Sequence, residues 1–205
     1  MCQEVLKIVL KMNQKHVETK LAIQCAPLIT GIKISNLLIV SKAEAENLPN
    51  TLRGTGLVFL KLSEMKDKVT FLVFRRLELR TYLENFKVQE ILLACGYEDL
   101  SFQGILRRFI EHYQAYAKDE EQFPHEMGLL LGYPVEDVEG FIVHNGQNFI
   151  CSGYWKVYKD APAKQELFRK YEEAQRDVIA LLAQGIGIRR IIKGYSGGFQ
   201  MKEAV

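Results

Sequence analysis

Two runs of β-branched and aromatic residues, LVFLKLS (57–63) and VTFLVFRR (69–76), flank the polar pentapeptide Glu64-Met65-Lys66-Asp67-Lys68. The pattern reads as a β-hairpin, because such side chains suit a pleated surface and a charged spacer suits a turn. No other feature constrains the fold as strongly, since an isolated two-stranded hairpin is marginal in water and needs a third strand and an apolar partner. ISNLLIV (34–40) reads as one further strand, and residues 149–158, interrupted by Gly153, as another that joins the same sheet. The remaining segments are mostly helical and must supply the apolar cover.

Val17, Leu21, Ala22 and Cys25 recur at helical spacing up to Pro27, where that helix is expected to stop. A polar stretch containing Pro49, Gly54 and Gly56 reads as a long loop. Leu79, Leu83, Phe86, Ile91 and Leu92 give a helix or broken pair ending at Gly96, and Ile105, Phe109, Tyr113 and Tyr116 give another helix. Pro124 and Pro134 open two more, separated by Gly132. After Pro162, the stripe Leu167, Tyr171, Ala174, Val178 and Leu181 marks one long helix with a single buried face. The expected fold class is α+β: a small, largely antiparallel sheet, built from the hairpin 57–75 with strands near 34–40 and 149–158, covered by several helices. LLACGYEDL (92–100) and LLLGYPVEDV (129–138) share a Gly-Tyr step, read as one helix-capping device used twice.

A length of 205 residues fits one domain, taken as 1–195, with the glycine-rich residues 196–205 expected to form a mobile tail. Net charge is +2, so no overall field draws the protein to nucleic acid or to an anionic membrane. Arg75, Arg76 and Arg80, and likewise Arg189, Arg190 and Lys193, are explained as solvated faces; no nucleic-acid partner is expected. No stretch nears the roughly 20 apolar residues needed to cross a bilayer, and no signal peptide is evident, which suggests a cytoplasmic protein. Cys2, Cys25, Cys95 and Cys151 contain no C-x-x-C pair, so reduced thiols are expected rather than a zinc or disulfide framework.

Candidate chemistry concentrates in FPHEMGLLLGYPVEDVEGFI (123–142). His125 and Glu126 fall at a helix start, where the positive end of the dipole favours the neutral imidazole needed by a general base or metal ligand. In the bland alternative, Glu126 caps the helix and His125 covers a neighbouring aromatic ring. Leu129 and Leu130 stand where H-E-x-x-H would require a second histidine, so a metalloprotease is excluded. A catalytic pair, Cys25 as nucleophile and His125 as base, is conceivable. Cys25 lies at a helix C-terminus, however, where the dipole disfavours a thiolate unless Lys33 compensates. On a strand, Tyr154, Lys156 and Tyr158 share one face, and Trp155 and Val157 the other. That face, with Glu126 and Tyr133, could bind a ligand. Pro124, Gly132, Pro134, Glu136 and Asp137 are read as helix punctuation.

FPHE, LGYP and EDVEGFI in that block, with QCAPLITGIK (24–33) and SGYWKVYKD (152–160), resemble the bacterial domain of unknown function 3793 family, found mostly in anaerobic Gram-positive bacteria. The resemblance spans roughly residues 15 to 193. Where the family pattern has CAPTLAG, this chain has Cys25-Ala26-Pro27-Leu28-Ile29-Thr30-Gly31, so a hydroxyl directly after the proline is missing. The resemblance implies no reaction, only an association with iron or redox physiology. A small-ligand or partner-binding accessory protein is therefore the first expectation. The alternatives are the Cys25–His125 enzyme and a metal- or haem-handling protein using His125 or Glu126 with His144 or a cysteine; no metal ligand set or cofactor is assigned.

Overall fold

The computed structural model describes residues 3–12, 16–120 and 122–196. The chain opens with α1 (Gln3–Lys11), whose Val5 and Val9 point inward, then α2 (Val17–Ile29) and β1 (Ser35–Ser41). Two short helices, α3 (Lys42–Ala45) and α4 (Leu48–Leu52), stand where the polar stretch suggested a loop. Ser41 and Glu44 account for the first: each side chain accepts from the other residue's N–H, a capping box. Pro49 occupies the first turn of α4, where a missing N–H is harmless. The hairpin follows as β2 (Leu57–Met65) and β3 (Lys68–Arg75). Next come α5 (Arg76–Leu83), α6 (Phe86–Ala94), α7 (Phe102–Ala117), α8 (Met127–Leu130) and α9 (Val135–Val143). The small strands β4 (Cys151–Ser152) and β5 (Lys156–Val157) precede α10 (Ala161–Ala183) and α11 (Ile188–Ser196).

The α+β class and the three-stranded antiparallel sheet are as expected, with strand order β1-β3-β2. Helices pack on both faces of the sheet, so the side chains of the central strand β3 divide between two cores by alternation. Val69, Phe71 and Val73 enter a core with Leu38, Val40 and helices α1, α2, α10 and α11. Leu72 and Phe74 enter a second core with Leu62 and helices α5 to α9. The register of β2 shifts between Lys61 and Ser63, and Gln114 of α7 donates to the carbonyl of the intervening Leu62 at 3.1 Å. On the opposite edge, Gln24 of α2 bonds both the N–H and the C=O of Ile39, covering β1 where it would otherwise offer a free ladder.

Pro27 does not stop α2, which runs on to Ile29. Proline cannot donate to the carbonyl four residues earlier, that of Ile23. Gln175 of α10 donates to that oxygen at 2.7 Å instead. The remaining carbonyls are also occupied: Thr30 Oγ1 donates to Ala26 and Pro27, Lys33 N–H to Pro27, and Arg75 Nη2 to Leu28 and Ile29. The displaced threonine thus serves as a helix cap.

The repeated Gly-Tyr step is one device. In both copies the glycine has positive φ, its N–H bonds three residues back, and the tyrosine N–H bonds five residues back: Tyr97 to Leu92 and Tyr133 to Gly128. The segment 149–158 differs from expectation, because β4 and β5 pair with each other in a separate two-stranded sheet. The chain reverses at Gly153, whose N–H donates to the Trp155 carbonyl at 3.0 Å and whose missing Cβ leaves room for the Phe168 ring. The expected strand alternation breaks at that turn. Trp155 and Val157 form a satellite core with Tyr171 of α10. At 23 residues, or about 35 Å, α10 reaches from this core to the first one. Ser196 ends α11, and residues 197–205 of the expected mobile tail lie outside the described residues.

Candidate functional site

Asp137 organises the region around the β4–β5 hairpin. It sits in the first turn of α9, yet its carboxylate is buried and turned away from that helix. Oδ2 accepts from Trp155 Nε1 at 2.7 Å, and Oδ1 from the Tyr158 and Lys159 N–H groups at 2.8 and 3.2 Å. Gly140, on the same helix, lets β5 approach closely, since a Cβ there would lie 2.4 Å from Tyr158 Cγ. Helix punctuation is therefore an incomplete reading of Asp137: it anchors the hairpin. Glu136 meets the expectation better, facing outward to Lys164 at 2.7 Å.

Between this hairpin and the α8–α9 segment lies a cavity of about 380 Å³. Phe123, His125, Tyr133 and Phe141 contribute from one element pair, and Tyr154, Trp155 and Lys156 from the other. Tyr133 stacks on Trp155 with centroids 4.7 Å apart, and His125 packs against Phe123 and Phe141 at 6.0 and 5.2 Å. His125 thus covers aromatic neighbours, as its bland reading expected. Its Nδ1, though, is buried with no hydrogen-bond partner among the described residues. Lys156 Nζ donates to the Gly146 carbonyl at 2.7 Å and lies 5.0 Å from the Phe149 centroid and 5.6 Å from that of Phe141. Burial pushes the Tyr133 hydroxyl up to about 12.

Of the residues singled out from the sequence, His125, Tyr133, Tyr154 and Lys156 converge on the cavity, whereas Glu126 and Tyr158 do not line it. Tyr158 stacks on His144 at 5.7 Å, its ring packed against α9. Glu126 occupies the cap position of α8 but makes no side-chain cap bond. It is buried instead against α7 and the Gly-Tyr step, with Oε1 2.6 Å from His112 Nδ1 and 3.1 Å from the Tyr97 hydroxyl. With Glu126 beside it, burial drives the Tyr97 hydroxyl strongly upward. His112 is the histidine that sequence reasoning missed. It lies on the same face of α7 as Ile105 and Phe109, seven and three residues beyond them, and no local signal links it to Glu126. The dipole expectation for His125 also has little behind it, because α8 is only four residues long.

Cys25 and His125 are not brought together. The Cys25 thiol is wholly buried in the first core, and its polar neighbours are the Leu37 carbonyl at 3.7 Å and Asn36 Nδ2 at 3.9 Å. Lys33 does fold back toward it, as the sequence allowed, but desolvation outweighs the cation and the Asn36 hydrogen bond, pushing the thiol up to about 12. Lys33 is itself buried, and burial pulls its amine down to about 8 against the opposing effect of Cys25. Its Nζ donates to Asn36 Oδ1 at 2.6 Å and lies 5.0 Å from the Tyr133 ring centroid. Cys95 and Cys151 are half-buried free thiols, and burial pushes Cys95 up to about 11. Among the described residues, no three His, Cys, Asp or Glu side chains converge as a metal-holding group.

This chain belongs to the family described as protein of unknown function DUF3793, whose model matches residues 21–192. The match includes the aromatic cavity, the Asp137 anchor and the Glu126–His112 contact. No curated protein and no solved structure matches the chain.

Proposed function

We propose that this member of the family is a single-domain, cytoplasmic bacterial accessory protein that binds a small ligand in the cavity between the α8–α9 segment and the β4–β5 hairpin. One observation carries this reading: aromatic rings, the His125 side chain and Lys156 meet around about 380 Å³ of space. Protein interiors seldom keep voids, and a concave apolar site with a few directed polar groups is the usual form of a ligand pocket. Placement in the cytoplasm is supported by the free thiols and by the absence, among the described residues, of any helix long and apolar enough to cross a membrane. Iron or redox physiology rests on the family resemblance alone.

Trp155 is the sole tryptophan and lines the cavity, so its emission reports on this site without labelling. A fragment library screened by Trp155 fluorescence should yield saturable changes accompanied by a rise in melting temperature. Fragments that stabilise the fold without moving Trp155 emission would locate binding elsewhere and defeat the proposal.

A further inference from the structure

Resting on the ligand-site reading above, we infer that the cavity selects planar aromatic anions, a fused ring compound bearing a carboxylate or a similar group. The ring preference follows from the walls, where the Tyr133–Trp155 stack and the rings of Phe123, Phe141 and Tyr154 offer π faces and edges rather than branched aliphatic surface. Aromatic pairs gain beyond the area they bury when offset or edge-on, an advantage no saturated ring obtains.

The charge preference follows from which polar groups remain available. Aromatic cages often take cations, and without charges nearby this one would be a candidate for a quaternary ammonium. Two ammonium groups argue against that. Lys33 already lies over the Tyr133 ring, and Lys156 lies in the lining itself, against Phe141 and Phe149. Among the described residues Asp137 is the one carboxylate in the lining, and both of its oxygens are turned to protein N–H groups, Trp155 Nε1 and the Tyr158 and Lys159 amides. Glu126 faces His112 and Tyr97, and Glu136 faces Lys164. Among the described residues Lys156 uses one of its three N–H donors, on Gly146, leaving two for an anion.

Isothermal titration with four probes tests this inference: 2-naphthoate, 2-naphthol, a naphthyl trimethylammonium salt and a saturated decalin carboxylate. Naphthoate is expected to bind at least tenfold more tightly than the ammonium salt and the decalin acid. Lys156→Met should weaken naphthoate at least fivefold while leaving naphthol within twofold. Lys156→Arg, which keeps the charge should loss of the Gly146 contact disturb the fold, should retain naphthoate binding. Tighter binding of the ammonium salt, or an unchanged naphthoate affinity in Lys156→Met, overturns the anion assignment and leaves the pocket reading standing. Equal binding of the decalin acid overturns the aromatic assignment in the same way. If no probe releases heat or alters Trp155 emission, both the inference and the ligand-site reading fall.

Discussion

Around Cys25 the chain buries a thiol, an amine and an amide with their polar contacts made to one another, whereas around Trp155 it buries a comparable set of polar groups and leaves a cavity. The two regions are adjacent, since Lys33 lies beside Asn36 and Cys25 on one side and over the Tyr133 ring on the other. In the first region Asn36 ties α2 to β1 by donating to the Gln24 carbonyl at 2.7 Å, and the thiol has no exposed surface. In the second, Asp137 secures a short hairpin, and the rings it positions enclose space instead of filling it. A buried cysteine or lysine is thus no sign of chemistry where neighbours close around it. A buried nitrogen that has no partner among the described residues, on a histidine that lines a cavity, has no such structural explanation.

Substitutions that disturb one region and spare the other sharpen this contrast. Asp137→Ala should have the largest effect, since it leaves the buried Trp155 indole N–H and the half-buried Tyr158 and Lys159 N–H groups without their acceptor. A loss on the order of 4 kcal/mol is expected, read as a fall in urea midpoint with a red shift of Trp155 emission. Retention of the native emission maximum would mean that the hairpin does not depend on this carboxylate.

Lys33→Met comes next. The Lys33 pKa falls from 10.5 to about 8 on folding, so between these values the unfolded chain holds more protons and stability contributed by this group rises with pH. Lys33→Met should therefore be more stable than the parent at pH 7, and the difference should shrink by about 3 kcal/mol by pH 10.5. Urea titrations of both proteins across that window check it; a constant difference would show that Lys33 is not desolvated as described.

Glu126→Gln should cost about 2 kcal/mol, because the half-buried His112 and the buried Tyr97 lose a carboxylate acceptor. The smallest change is expected for His125→Phe, within about 1 kcal/mol of the parent, since it keeps an aromatic filler and removes a polar atom that has no partner among the described residues. That variant should nevertheless lose ligand-induced changes in Trp155 emission. A severe loss of stability would return His125 to a purely structural role.

The hairpin, its β1 partner and the two Gly-Tyr caps were legible in the sequence because each rests on local pattern: alternation over β3, and a glycine forced to positive φ at a helix end. The site was legible in part. His125, Tyr133, Tyr154 and Lys156 could be singled out because they lie in segments dense with punctuation and aromatic residues. Asp137 was read as helix punctuation and His112 was missed because their roles depend on partners 18 and 14 residues away, brought close only by tertiary packing. The capping box at Ser41 and Glu44 was available in the sequence but was obscured by the glycines and proline that follow. The assignment of 149–158 to the main sheet failed for the converse reason, since a β-rich composition identifies strands without identifying their neighbours.

The most direct test of the ligand site is the single indole N–H resonance of Trp155, followed by two-dimensional NMR as 2-naphthoate is added to the folded protein. The resonance and the amides of Gly153 and Tyr154 should move together and saturate, while the amides of Cys25 and Asn36 stay still. Movement confined to the α2–β1 amides, or an indole signal that never shifts, would contradict a ligand site at the hairpin.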